Sequence, residues 1–350
     1  MSRSIRFGLY GCNMYRTRDL VAGAEAAAPG VVKIAACYDI DKEKARFAAE
    51  KYHGRAFDSL DAFLACDEID VVLISLPAHL HAEAYARTAK SGKTIYLEKP
   101  ICVNTEGRRI VTDAFTTYPA KCYVGMSYRY INPFLKVAEI LRRPGVGRVI
   151  GAHHHWVSPW PLVPLKPEEM GWRHRLDQSG GQLNHHCCHA LDWLQWIGGP
   201  FSKVSAVSYT PPDVKEMPHE ERELTAAFTY RDGGMAVFNL HQDSHQYVQY
   251  GTIHAEGLGI SYQWGEETFV KVFTTKPRQP DEVWTPGATD PSRDQLQMTD
   301  FINTWFAGGP MPISIPDGLR VYDYATAIRK SYREGHSVDV ARAGQMDYTP

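Results

Sequence analysis

The chain lacks several things that would decide its class at once. No apolar run is long enough to cross a bilayer, which excludes a membrane-spanning helix as the organising element. Lys and Arg number 38 against 40 Asp and Glu, a formal charge of −2, so there is no positive field to hold nucleic acid or an anionic membrane surface. Seven cysteines are an odd number, none in CxxC spacing, and most sit in apolar segments; this predicts reduced structural thiols rather than a disulfide framework. Internal repeats and low-complexity stretches are also missing, which argues against solenoids and disordered linkers. The opening MSRSIRFGLYGC runs into a strand-like stretch without an apolar signal region, so a cytoplasmic location is expected, with a small, weakly charged ligand as partner.

What is there is enough for two packed domains: 350 residues, 44% hydrophobic and 22% charged. From residue 4 to about 130, short β-branched runs (SIRFGLYG, VVKIAACYD, DVVLISLP, TIYLEKP, KCYVGMSY) alternate with helical stretches. That pattern predicts a parallel sheet with helices on both faces. Beyond INPFLKVAEILRRPGVG the segments alternate polar and apolar residues and are joined by turns such as RDGG and AEGLG, as an antiparallel sheet requires. One helix at roughly 184–197 interrupts it, and two more, around 293–307 and 317–334, close the chain. The expected fold is therefore an α/β N-terminal Rossmann domain (1–130) and an α+β C-terminal domain (131–350). The second carries a large open, mainly antiparallel sheet, and the C-terminal helix is free to pack back on the first. The segments Trp160–Glu169 and Lys276–Asp290 read as connecting or lid loops.

In a Rossmann domain the first strand ends in a glycine-rich turn facing the pyrophosphate. Here the turn is Gly11-Cys12-Asn13-Met14-Tyr15-Arg16, with only the first of three expected glycines, so the hexapeptide fits a plain strand–turn–helix as well as a dinucleotide site. Asp39, at the end of the second strand, stands where an acid accepts hydrogen bonds from the adenosine ribose. It would repel a 2′-phosphate and no Arg follows it, which favours NAD over NADP. The competing role for Asp39 is a helix N-cap, which Asp41 can equally fill. The third and fourth strands end in Ser75-Leu76-Pro77-Ala78-His79-Leu80-His81 and Glu98-Lys99-Pro100, and ligands of open α/β sheets collect at such carboxyl ends.

Together with SYRYINP, GGQLNHHCCHALDWLQWIGG and the tail IPDGLRVYDYATAIRKSYREGHSV, the SLPAHLH turn and the EKP tripeptide make the chain resemble the Gfo/Idh/MocA oxidoreductases over essentially its whole length. The resemblance implies bound nicotinamide and hydride transfer at a secondary hydroxyl of a sugar, cyclitol or sugar derivative. It further implies a homodimer or homotetramer formed through the C-terminal sheet. By position, Lys99 and His189 are implied to manage the hydroxyl proton and His185 to tune or position them. His185 stands where many members carry Asp, four residues before His189, and a shared helix face is expected for the pair. Proton sharing between the two histidines, substrate binding by His185, and a divalent metal all remain open, with no metal expected. The implied cofactor contacts are Gly11, Cys12, Asn13, Met14, Asp39, Ser75, Leu76, Pro77, His81, Glu98, Lys99, Trp172 and Arg173. Those implied or expected for the substrate are Tyr128, Arg129, His155, His185 and His186, His155 because the run His153-His154-His155-Trp156 alternates faces on a strand. Two rivals follow from the same features: a redox-assisted glycosidase using tightly bound NAD, and a non-catalytic dinucleotide-binding sensor.

Overall fold

The computed structural model describes residues 4–12, 15–159, 171–210, 221–242, 244–276 and 278–340. Asn13, Met14 and the expected lid Trp160–Glu169 lie outside them. The chain divides into two compact units, residues 1–127 with 291–319 and residues 128–290 with 320–350.

The first unit is built on β1 (Ile5–Tyr10), β2 (Val32–Tyr38), β3 (Arg55–Phe57), β4 (Val71–Ile74), β5 (Thr94–Leu97) and β6 (Cys122–Val124). All pair in parallel, in the order β3-β2-β1-β4-β5-β6, the doubly wound arrangement that leaves a crevice at the carboxyl ends of β1 and β4. Val71 to Ile74 are buried throughout, which is why this strand reads as an unbroken apolar run. Between the strands run α1 (Tyr15–Ala27), α2 (Lys42–Tyr52), α3 (Leu60–Leu64), α4 (His81–Lys90) and α5 (Thr105–Thr117). Side chains start several of them: Asp41 accepts from the Glu43 amide and Asn104 from the Gly107 amide, satisfying donors that the first turn leaves open. The three-residue β3 was not expected, because so short an edge strand shows no periodicity.

In the second unit, α6 (Asn132–Leu141) leads into β7 (Val149–Val157), and three short helices follow, α7 (Leu176–Ser179), α8 (Gly181–His185) and α9 (Cys188–Gly198). Then come β8 (Phe201–Tyr209), β9 (Glu223–Tyr230), β10 (Met235–His241), β11 (Val248–Ala255), β12 (Leu258–Trp264), β13 (Phe269–Phe273) and β14 (Glu282–Trp284). After α10 (Arg293–Ala307) and α11 (Ile315–Glu334), β15 (Val338–Asp339) completes a nine-stranded sheet in the order β14-β13-β12-β11-β7-β10-β9-β8-β15. Its pairs are antiparallel except for β7 with β10. One face is covered: the fully buried Phe134 ring of α6 meets the rings of His154, Trp193 and Tyr262, and burying it contributes roughly 1.5–3 kcal/mol.

Two expectations change here. The single helix at 184–197 is interrupted where the chain turns at His186 and Cys187, and just before it Gly180 and Gly181 take positive φ (74° and 76°) where α7 ends and α8 begins. The second boundary also differs, since residues 291–319 belong with the first unit, where Phe301 of α10 packs edge-on against the rings of Phe7, Tyr96 and Tyr123. The division between units falls inside α11, after Leu319.

Candidate functional site

In the first unit, the sheet's carboxyl end gathers most of the residues expected to meet a dinucleotide. Gly11 has φ +95°, and a Cβ there would come 2.3 Å from the Ser75 carbonyl oxygen, so only glycine lets the β1 turn lie against the end of β4. Asp39 accepts from the Cys12 amide (2.9 Å) and from the Asp41 amide (3.0 Å), while Asp41 caps α2. The N-cap alternative for Asp39 is thereby removed. Each carboxylate oxygen keeps a further lone pair for a ribose diol. The Cys12 thiol is pushed far up by the neighbouring Cys37 thiol, by burial and by the Asp39 charge, so it stays protonated. With Gly11 against Ser75 and an acid at the end of β2, this crest fits a dinucleotide.

Arg16, where a third glycine was expected, does something else. Its guanidinium is buried and reaches Glu98 Oε1 through Nε and Nη2 (both 3.3 Å), Asp294 Oδ1 through Nη1 (2.6 Å) and Gln297 Oε1 through Nη2 (3.3 Å). Burial alone would lower its pKa, but Glu98 and Asp294 raise it well above the usual value. The Glu98 side chain is therefore an internal ion partner, one residue before the half-buried Lys99, which leads into a cis bond to Pro100. His81 lies between the Pro100 carbonyl (Nδ1, 2.6 Å) and the Leu76 carbonyl (Nε2, 2.9 Å), where a neutral ring donates its single N–H to one of them, and so sits between the SLPAHLH turn and the EKP strand end. Burial lowers its pKa, partly offset by those carbonyls. A separate cleft of about 1350 Å³ lined by Arg6, Arg18, Lys33, Lys51 and Arg55 lies beside the amino-end residues of β1 and β2, away from this crest.

In the second unit, the rings of Tyr128 and His189 stack in parallel at 4.2 Å, and both residues are buried. Trp156 and Trp264 flank Tyr128 at 5.3 and 5.8 Å between centroids. The Tyr128 hydroxyl meets the Tyr247 hydroxyl (3.4 Å), and the Gln249 amide donates to both (3.3 and 3.4 Å). One residue on, Arg129 donates from Nε and Nη2 to the two oxygens of Asp192, each at 2.7 Å, with both side chains almost fully buried. Arg129, expected to border the substrate, is thus engaged with the helix that carries His189. Gln195 extends this pair, donating to Asp192 (3.1 Å) and accepting from Arg320 (3.2 Å) and Tyr324 (3.1 Å).

His185 and His189 do not share one continuous helix, so the expected four-residue spacing on one face does not apply. His185 ends α8, edge-on to Trp172 at 5.1 Å and beside His186 at 4.5 Å, and His186 Nδ1 meets Gln182 Oε1 at 3.0 Å. Arg173 lies over the Trp172 ring at 4.6 Å. His155 is a correction: it faces the open side of the sheet, stacked on Tyr250 at 4.7 Å, whereas His154 and Trp156 face the helices. Strand alternation fixes this, and the expectation was off by one position. Among the described residues no three His, Cys, Asp or Glu side chains gather as a metal site. Sequence reasoning missed Trp156, Tyr247, Gln249 and Trp264. Trp156, Gln249 and Trp264 are register neighbours across β7, β11 and β12, a pairing no local motif announces.

Comparison with known proteins gives two family matches. Residues 5–126 match the oxidoreductase family model with an NAD-binding Rossmann fold, and residues 134–258 match the GFO/IDH/MocA C-terminal domain. An inositol 2-dehydrogenase of Rhizobium meliloti is 29% identical over 345 residues, covering 97% of this chain and 100% of the relative. A levoglucosan dehydrogenase of Pseudarthrobacter phenanthrenivorans is 29% identical over 167 residues, 47% of this chain and 42% of the relative. Several other relatives are likewise matched over about half their length or less. The solved structure of a levoglucosan dehydrogenase in complex with NADH and levoglucosan superimposes with a TM-score of 0.83 at 22% identity, over 96% of this chain and 99% of the other, a likeness of fold. Among the described residues no helix is long and apolar enough to cross a membrane.

Proposed function

The chain belongs to the GFO/IDH/MocA oxidoreductase family, and from that premise we propose that it is a cytoplasmic, NAD-dependent dehydrogenase of a secondary hydroxyl on a sugar, cyclitol or sugar derivative. The observation that carries this reading is the buried ring cluster around Tyr128, on which His189 stacks and in which two tryptophans and linked hydroxyls offer flat apolar faces and neutral hydrogen bonds. Such a lining suits a polyol ring better than a nucleic acid, a peptide or a metal. The match with an inositol dehydrogenase along nearly the whole chain supports the same substrate class.

NAD, when bound, supplies the hydride acceptor. Gly11, Cys12, Asp39, Ser75, Leu76 and Pro77 would hold it, with Asp39 taking the adenosine ribose diol and disfavouring a 2′-phosphate. Asn13 and Met14, which follow Cys12 in the sequence, and Trp172 with Arg173 belong to the proposed cofactor set on the resemblance alone. Lys99 Nζ holds the substrate hydroxyl and its ammonium lowers the cost of removing the proton; His189 receives that proton, and His185 with His186 orients the ring. His81 and Glu98 act through the backbone, fixing the turns on either side of Lys99. The open face of the second sheet, with Val207, Tyr209 and Met235 exposed, is the surface proposed for pairing into a homodimer or homotetramer.

The test mixes purified protein with NAD and levoglucosan, myo-inositol, glucose and other neutral polyols. Reduced nicotinamide with at least one of them is expected. Release of an aglycone from a glycoside without net reduction would move the reading to a redox-assisted glycosidase. No turnover of any kind, with dinucleotide bound, would overturn it in favour of a sensor.

A further inference from the structure

Within the second unit, among the described residues, several buried polar atoms lack a partner, and one side chain lacks it at both ends. Gln242 is 5% exposed, yet neither its Oε1 nor its Nε2 has a hydrogen-bond partner, and the indole N–H of Trp156, 4% exposed, is in the same condition. A primary amide taken out of water with both ends unmatched is costly, and native proteins retain one chiefly where something else completes it. The two groups belong to one patch. Leu240 is the register partner of Trp156 in the parallel β7–β10 pair, and Gln242 follows Leu240 by two positions. The ladder continues past the strand, with the Ser158 amide bonded to the His241 carbonyl and the Gln242 amide to the Arg222 carbonyl. Trp156 in turn flanks the Tyr128 ring stacked on His189.

We propose that Gln242, with the Trp156 indole, is a specificity-determining subsite that recognises ring hydroxyls of an uncharged polyol. The chemistry selects the ligand. Whichever way the amide is turned, its carbonyl oxygen needs a donor while its NH₂ and the indole N–H need acceptors. Hydroxyls supply both; a carboxylate or phosphate only accepts and leaves the amide oxygen unmatched. The inference rests on the dehydrogenase reading and narrows what meets this subsite to hydroxyls rather than an anionic group.

The test compares the wild type with Q242L and W156F, titrating glucose, myo-inositol and glucuronate in the presence of NAD and measuring turnover, binding by calorimetry, and melting of the ligand-free protein. In Q242L the affinity and KM for the neutral ring that the wild type uses weaken about 10- to 100-fold. NAD affinity stays unchanged, and the ligand-free protein melts at a higher temperature, because an unmatched buried amide has been removed. W156F keeps the ring and loses only the N–H, so its effect is smaller, about 2- to 10-fold. Glucuronate can meet the subsite only through its ring hydroxyls, so any binding it shows in the wild type weakens in Q242L by a similar factor. Unchanged Q242L binding in a wild type that turns over a neutral polyol overturns the subsite and leaves the dehydrogenase standing, as does a lowered melting temperature, which would make Gln242 structural. If the wild type uses no polyol at all, the functional reading fails and the subsite with it.

Discussion

Each unit secures its candidate chemistry with a buried arginine, but the two do so in different surroundings. In the first, Arg16 holds Glu98, the residue before Lys99, at a crest made of backbone turns: Gly11 against the Ser75 carbonyl, Asp39 under the Cys12 amide, His81 between two carbonyls. In the second, Arg129 holds Asp192, three residues after His189, within a wall of rings contributed by separate strands and helices. Main-chain geometry serves a ligand that this fold binds in one way, whereas side chains from scattered elements can be exchanged to suit different substrates. The difference predicts that damage to the first unit's crest abolishes chemistry or cofactor binding generally, and damage to the second shows as substrate-dependent loss.

Lys99→Met removes the ammonium while keeping the stem, and kcat/KM is expected to fall about 10²- to 10⁴-fold, well beyond any weakening of NAD binding, measured by steady-state rates and calorimetry. Arg129→Met leaves Asp192 buried without its cation, so urea unfolding should show a loss of about 3–5 kcal/mol. Asp39→Asn removes a charged acceptor from the crest; NAD should bind about 10- to 100-fold more weakly, while NADP loses less, narrowing the preference.

Per pH unit, the smallest effect is on pH dependence. Burial, with a contribution from His155, pushes the His154 pKa down to about 3. Below pH ~6.5 the unfolded chain takes up a proton that the folded imidazole refuses, so stability is lost as pH falls, at up to about 1.4 kcal/mol per pH unit, until the folded value is reached. His81, also lowered by burial, acts in the same direction. Unfolding titrations between pH 6.5 and 4.5 should show this slope, and His154→Gln should flatten it.

The first unit was largely legible because its strands are short apolar runs between helices and its turns carry glycine, proline and acids at strand ends. Arg16 was not, since its partners Asp294 and Gln297 lie at the other end of the chain and only the return of α10 onto α1 unites them. In the second unit the alternating pattern gave away the sheet but not its register, and a one-position shift sends His155 to the open face and Trp156 inward. The glycine pair at 180 and 181 was visible as a motif; that the helix would break at His186 and Cys187, before His189, depended on backbone conformation that composition does not reveal.

The most direct test of the central claim follows the transferred atom. A neutral polyol that the enzyme uses, deuterated at its carbinol carbons, is incubated with wild-type protein and NAD, and the nicotinamide is read by NMR. Deuterium at the ring's C4 position is the predicted result. Turnover that leaves the nicotinamide unlabelled and sends the deuterium to solvent would contradict hydride transfer from a secondary alcohol.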